Sequence, residues 1–192
     1  MGFMTFLHGD DRFYNNIFIQ KWPCEDKRVR HDSDNGFDSE NRLAGTWMFD
    51  EYPTYDQWIS QFDFIKPANM KQLEPVHFGH LPVWCEGNAY LAGAKACKNE
   101  VGGIVLDQDA KVELVEKDGQ YYLDTNIYDL LGDFTGKLVD TDTLGEAFEP
   151  SQKFEDPDGT PIVFDADYFG QPRATVIAGP FAGAADAKRP LV

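Results

Sequence analysis

The stretch Phe13-Tyr14-Asn15-Asn16-Ile17-Phe18-Ile19 sets a pair of asparagines between two apolar, aromatic-rich runs, directly after His8-Gly9-Asp10-Asp11-Arg12. Asparagine tolerates the left-handed backbone region and hydrogen-bonds readily to its own backbone or to an equivalent asparagine in an adjacent layer. Such a pair suits the corner of a parallel β-helix, where the chain turns sharply in coil after coil. A coil buries its faces only against neighbouring coils, so on this reading the chain opens inside a stack rather than at its cap. The fold class expected is all-β: partial right-handed parallel β-helix coils with long loops, followed by an antiparallel sandwich-like strand region.

Composition narrows the partners. At 192 residues the chain is one domain or two small ones, and its 42% apolar and 14% aromatic content is enough to build a core. A formal net charge of −16 repels phosphate backbones and anionic bilayers, which argues against nucleic acid and membrane partners. Neutral ligands such as sugars remain open. Cys24, Cys85 and Cys97 are an odd set in a chain this long and do not read as a disulfide framework, with a Cys85–Cys97 bond as the lesser alternative. No secretory segment opens the chain and no apolar run is long enough to cross a membrane. The chain reads as soluble, cytoplasmic or secreted from a longer precursor.

Pattern along the chain gives three regions. Residues 1–100 carry the partial coils: strands at 3–8 and 13–20 joined by the Gly9–Arg12 turn, a polar loop over 21–46, and short strands over 81–93 with a turn at Gly87-Asn88. Between them, the large residues of Tyr55-Asp56-Gln57-Trp58-Ile59-Ser60-Gln61-Phe62 recur at helical spacing and predict a short helix. Residues 101–181 change texture. Asp118-Gly119 between alternating runs predicts a hairpin, and further strands are expected at 136–140, 161–165 and 174–178. Residues 182–192 read as a loose tail.

Three segments taken in order carry a family resemblance. They are Gly2 through Phe18 (GFMTFLHGDDRFYNNIF), Glu86 through Lys95 (EGNAYLAGAK), and Asp156-Pro157-Asp158-Gly159-Thr160-Pro161-Ile162 with Asp167-Tyr168-Phe169-Gly170. Together they resemble the C-terminal part of right-handed parallel β-helix glycoside hydrolases, most closely the β-xylosidase-like enzymes of glycoside hydrolase family 120. The resemblance implies a role in plant polysaccharide breakdown and an oligosaccharide ligand such as a xylo-oligosaccharide. Members of that family are much longer, and the coils bearing their catalytic carboxylates precede the matched segment. The implied missing acid/base and nucleophile would come from preceding coils or from a partner.

The residues themselves offer several candidates. A glycosidase needs two carboxyl groups across a sugar ring, and Asp10, Asp50 and Glu86 are the ones considered. Adjacent carboxylates such as Asp10-Asp11 and Asp50-Glu51 point to opposite faces of a strand, so neither pair acts as such without a reorienting turn. The ordinary reading is that Asp10 and Asp11 cap turns and pair with Arg12, and that Asp50 and Glu51 lie in a solvated loop. His8, Asp10, Arg12, Trp22, His77, His80 and Trp84 are the candidates for sugar contact, because imidazole and carboxylate groups bind hydroxyls and sugar rings stack on flat aromatic faces. Each Trp, including Trp47 and Trp58, equally reads as a plug that fastens a loop. His77 and His80 with Cys85 and Glu86 make a weak metal alternative, because Gly79 and Pro82 interrupt a common helix face. Asp32, Asp34 and Asp38 alternate like the front of a calcium loop, but Leu43 stands where the closing Glu belongs. No cofactor is expected beyond a structural calcium.

Two other functional classes fit the same residues. A non-catalytic carbohydrate-binding module would bind sugar without turnover or partner. A structural or assembly unit would oligomerise, as a homo-oligomer or with a partner covering the open β-helix end, because unpaired edges are sticky.

Overall fold

A computed structural model describes residues 9–20, 44–62, 79–148 and 150–191. At Asn15 the backbone turns left-handed, with φ 55°. The turn ends strand β1 (Asp11–Tyr14) and sends β2 (Ile17–Ile19) away in a new direction. The pattern repeats: β3 (Val83–Glu86) and β4 (Ala89–Leu91) flank Gly87 at φ 68°. It repeats again where Gly102, at φ 61°, precedes β5 (Ile104–Leu106). β1 pairs parallel with β3, and β2-β4-β5 form a second parallel sheet. Asp11 lies beside Val83 and Ile17 beside Ala89, so the register has the same offset before and after the corner. Successive layers therefore stack corner on corner.

Asparagine side chains lock these corners. The Asn88 Oδ1 accepts from the backbone N–H and the Nδ2 of Asn16, at 2.8 and 3.0 Å. The Asn88 Nδ2 donates to the Phe13 carbonyl at 2.8 Å and to both oxygens of Glu100, at 3.2 and 3.0 Å. Glu100 also accepts from the Tyr90 hydroxyl at 2.7 Å, and Tyr90 is bonded to Thr46 at 2.8 Å. Asn88, Tyr90 and Thr46 are fully buried, and every one of these polar groups has a partner.

Alternation along β3 decides its two faces. Val83 and Cys85 point inward with Cys97 and the rings of Phe13, Phe49 and Tyr52, while Trp84 and Glu86 point outward and are half-buried. A 3-10 turn (Trp47–Phe49) and helix α1 (Tyr55–Ser60) lie between the layers in sequence. Helix α1 fulfils the helical spacing read there. Thr54 caps it with a full capping box: its hydroxyl accepts from the Gln57 N–H and the Gln57 side chain accepts from the Thr54 N–H.

The second half is less sheet-like than its sequence suggests. Hairpin β6 (Val112–Lys117) and β7 (Gln120–Thr125) closes at Asp118-Gly119 as expected, both residues at positive φ. Helices α2 (Ile127–Leu131) and α3 (Thr141–Leu144) follow, then the two-residue strands β8 (Glu146–Ala147) and β9 (Gln152–Lys153), and α4 (Ala184–Ala187). The strands expected at 136–140 and 161–165 are reduced to isolated antiparallel bridges, Asp140 with Val163 and Glu155 with Pro161, while 174–178 forms no bridge and the one nearest it joins Ala166 to Pro172. Proline has no N–H to give a ladder, so pairing stops after one bridge at the last two. The sheets of the described residues hold two or three strands, and no sandwich forms among them.

The parallel pairing continues through β5, beyond residue 100. In the tail, Ala187 is 2% exposed and, with Ala184 and Leu191 beside it, joins the core of Phe181, Ala89, Leu91, Tyr128 and Leu131. These apolar contacts hold the tail against the core. The regular elements among the described residues are thus mostly short strands with a few short helices, consistent with an all-β chain, and the larger core runs from the parallel sheet to the last helix. No helix among them is long and apolar enough to cross a membrane.

Candidate functional site

The outward faces of β1 and β3 carry Arg12, Tyr14, Trp84 and Glu86, because these positions alternate with the buried ones and lie in register, Arg12 beside Trp84 and Tyr14 beside Glu86. Two hollows open on this face. The larger, 330 Å³, lies between Asp10, Arg12 and Trp84 on one side and Trp58, Glu146 and Phe148 on the other. The smaller, 260 Å³, is lined by Tyr14, Asp56, Glu86, Cys85 and Asn99. Tyr55 and Trp84 line both, which makes them one groove along the sheet.

Aromatic rings set its walls. The Trp58 ring meets Phe148 edge-on at 5.2 Å and lies 6.0 Å from Tyr55. Helix α1 is too short to be stable by itself, and its capping box together with the Trp58–Phe148 contact holds it over the groove. The floor is fixed by Arg12. Its guanidinium sits over the Trp84 ring at 4.3 Å and over Phe154 at 4.6 Å. Its Nε donates to the Leu144 carbonyl at 2.6 Å, Nη2 to the Glu146 carbonyl at 2.8 Å, and Nη1 to the carbonyl and carboxylate of Asp10 at 2.8 and 2.9 Å. Only 7% of the Arg12 side chain is exposed.

The carboxylates are held as firmly. Asp10, at φ 63°, gives its other oxygen to the Phe148 N–H at 2.8 Å. Glu86 pairs with Lys137 at 2.8 Å. The Asp10 N–H donates to the Pro82 carbonyl, so Asp10 and Glu86 stand four positions apart on the sheet. That is about 13 Å along the strands, beyond the roughly 5–9.5 Å that a glycosidase pair spans. Burial, with the charge of Glu86 second, raises the Tyr14 phenol above its ordinary pKa.

The structure therefore brings together Asp10, Arg12, Trp84 and Glu86 of the residues proposed from sequence. Asp50 and His80 line neither hollow: Asp50 accepts from the Lys98 N–H at 2.8 Å, and the His80 ring stacks on Tyr52 at 4.1 Å. His8, Trp22, His77 and the calcium candidates Asp32, Asp34 and Asp38 lie outside the described residues. No group of three or more His, Cys, Asp or Glu that could hold a metal occurs among the described residues. Sequence reasoning missed Tyr55, Glu146 and Phe148 as groove residues. Tyr55 and Trp58 share the helical spacing that marked α1, whereas nothing local distinguishes Glu146 or Phe148.

No family model matches the chain, and no curated protein matches it. A solved structure does: the complex of XylC with xylose, at 27% sequence identity and a TM-score of 0.71, over 91% of this chain. The match spans 24% of the XylC chain.

Proposed function

We propose that this chain is a carbohydrate-binding segment of a xylosidase-like glycoside hydrolase, built on coils of a right-handed parallel β-helix. The observation that carries the reading is the likeness to a xylose-bound protein over nearly the whole chain, in a molecule whose outer sheet face forms an aromatic groove. Stacked corners at Asn15, Gly87 and Gly102, with parallel strands on both sides, support the β-helix. Trp58 and Trp84 are the platforms for xylose rings, with Glu146 and Glu86 accepting from sugar hydroxyls. The wide separation of Asp10 and Glu86 supports a catalytic pair supplied from outside this segment.

The test is titration of xylose, xylobiose and xylotriose into the purified chain, beside turnover of aryl β-xyloside. Xylotriose should bind, no aryl xyloside should be cleaved, and Trp58→Ala should weaken binding at least tenfold without unfolding the chain. Failure of any xyloside to bind would remove the sugar reading. Turnover by the isolated chain would instead show a working carboxylate pair within it.

A further inference from the structure

Cys85 and Cys97 are both free, 3% and 5% exposed, and packed in the same small core cluster with Val83. Cys85 is on β3, and Cys97 lies in the short return from β4 to β5, held there by its N–H donating to Thr46 Oγ1 at 3.0 Å. The two side chains are neighbours in that cluster. Both side chains point into that cluster, with the backbone on both sides already tied down by the β1–β3 pairing and by Thr46. The smaller hollow is lined by Cys85 and by Asn99, two residues after Cys97, and so runs beside the pair.

We propose that Cys85 and Cys97 are a redox pair, closed to a disulfide by a small-molecule disulfide oxidant, which clamps the groove-lining return segment to β3. In this step the Cys97 thiolate attacks one sulfur of the oxidant, forming a mixed disulfide and releasing one small thiol. Cys85 then loses its proton and attacks the Cys97 sulfur, releasing the second thiol. Two protein thiols are oxidised and one disulfide oxidant is reduced to two thiols. Burial, reinforced by its contact with Cys97, pushes the Cys85 thiol well above its ordinary pKa, so closure should be faster at alkaline than at neutral pH. The segment that closes carries Asn99 on the groove wall and Glu100 on the Asn88–Tyr90 network. Oxidation would therefore stiffen that wall.

The experiment uses Cys24→Ser, reduced and then equilibrated with glutathione disulfide while folded. The expected product has lost both thiols, carries no glutathione, is lighter by two hydrogens, and melts several degrees higher until dithiothreitol is added. Peptide mapping of the unsubstituted chain reads the same bond without relying on the variant. Two intact thiols after oxidation, a stable glutathione adduct on either cysteine, or a bond to Cys24 would overturn the proposal.

Discussion

Asn88 shows how much one side chain can hold. It joins the Asn16 corner to the Phe13 carbonyl and to Glu100, with no exposure to water. Replacement by Ala strands the Asn16 donors and leaves the half-buried Glu100 carboxylate with fewer partners. Asn88→Ala should cost about 3 kcal/mol, read as a lower midpoint in urea at unchanged slope. The corner itself is visible in sequence, because the left-handed φ of Asn15 and Gly87 is a local demand met by few residues. Its partner Glu100 is not, because an exposed-looking Glu in a Lys-Asn-Glu run says nothing about what the chain folds over it. Arg12 makes the same point. Its sequence neighbours suggest pairing with Asp10, which occurs, but its carbonyl acceptors at Leu144 and Glu146 come from far along the chain.

At the scale of the element, short pieces depend on their ends and their neighbours. Helix α1 has six residues and no buried side chain, so its capping box and the Trp58–Phe148 contact are what keep it. Thr54→Ala should lower stability by about 1 kcal/mol. Because α1 also carries Tyr55 and Trp58, the same variant should weaken xylotriose binding several-fold, measured by titration under conditions where the far-ultraviolet circular dichroism is unchanged. The β6–β7 hairpin is legible for a different reason: Asp118-Gly119 specifies a turn whose twist suits the strands it joins. The segments around Val163 and Pro172 carry similar alternation but end as single bridges. Their pairing depends on what lies opposite, and proline there has no N–H to extend it.

Across the whole molecule, one core ties the parallel sheet to the C-terminal helix. Ala89 and Leu91 of β4 share it with α2, Phe181 and Ala187. Removing residues 181–192 should therefore destabilise the parallel layers themselves, by at least 3 kcal/mol given the loss of a buried Phe. Differential scanning calorimetry should show a single transition at lower temperature; an unchanged melting point would mean the tail contributes nothing to that core. The groove has the same long-range origin, since its floor comes from β1 and β3 and its wall from α1 together with residues 143–148.

The sequence by itself determined the local geometry: the asparagine and glycine corners, the helix at Tyr55–Ser60, the hairpin turn, and the alternation that turns Arg12, Trp84 and Glu86 outward. Each follows from backbone sterics or side-chain periodicity within a few residues. The tertiary structure alone decided which layers stack, that Glu100 and Thr46 close the buried network, that the tail joins the core, and that Trp58 packs edge-on against Phe148. Those depend on contacts between residues distant in sequence, where burial and pairing are properties of the assembled fold and no local pattern encodes the partner.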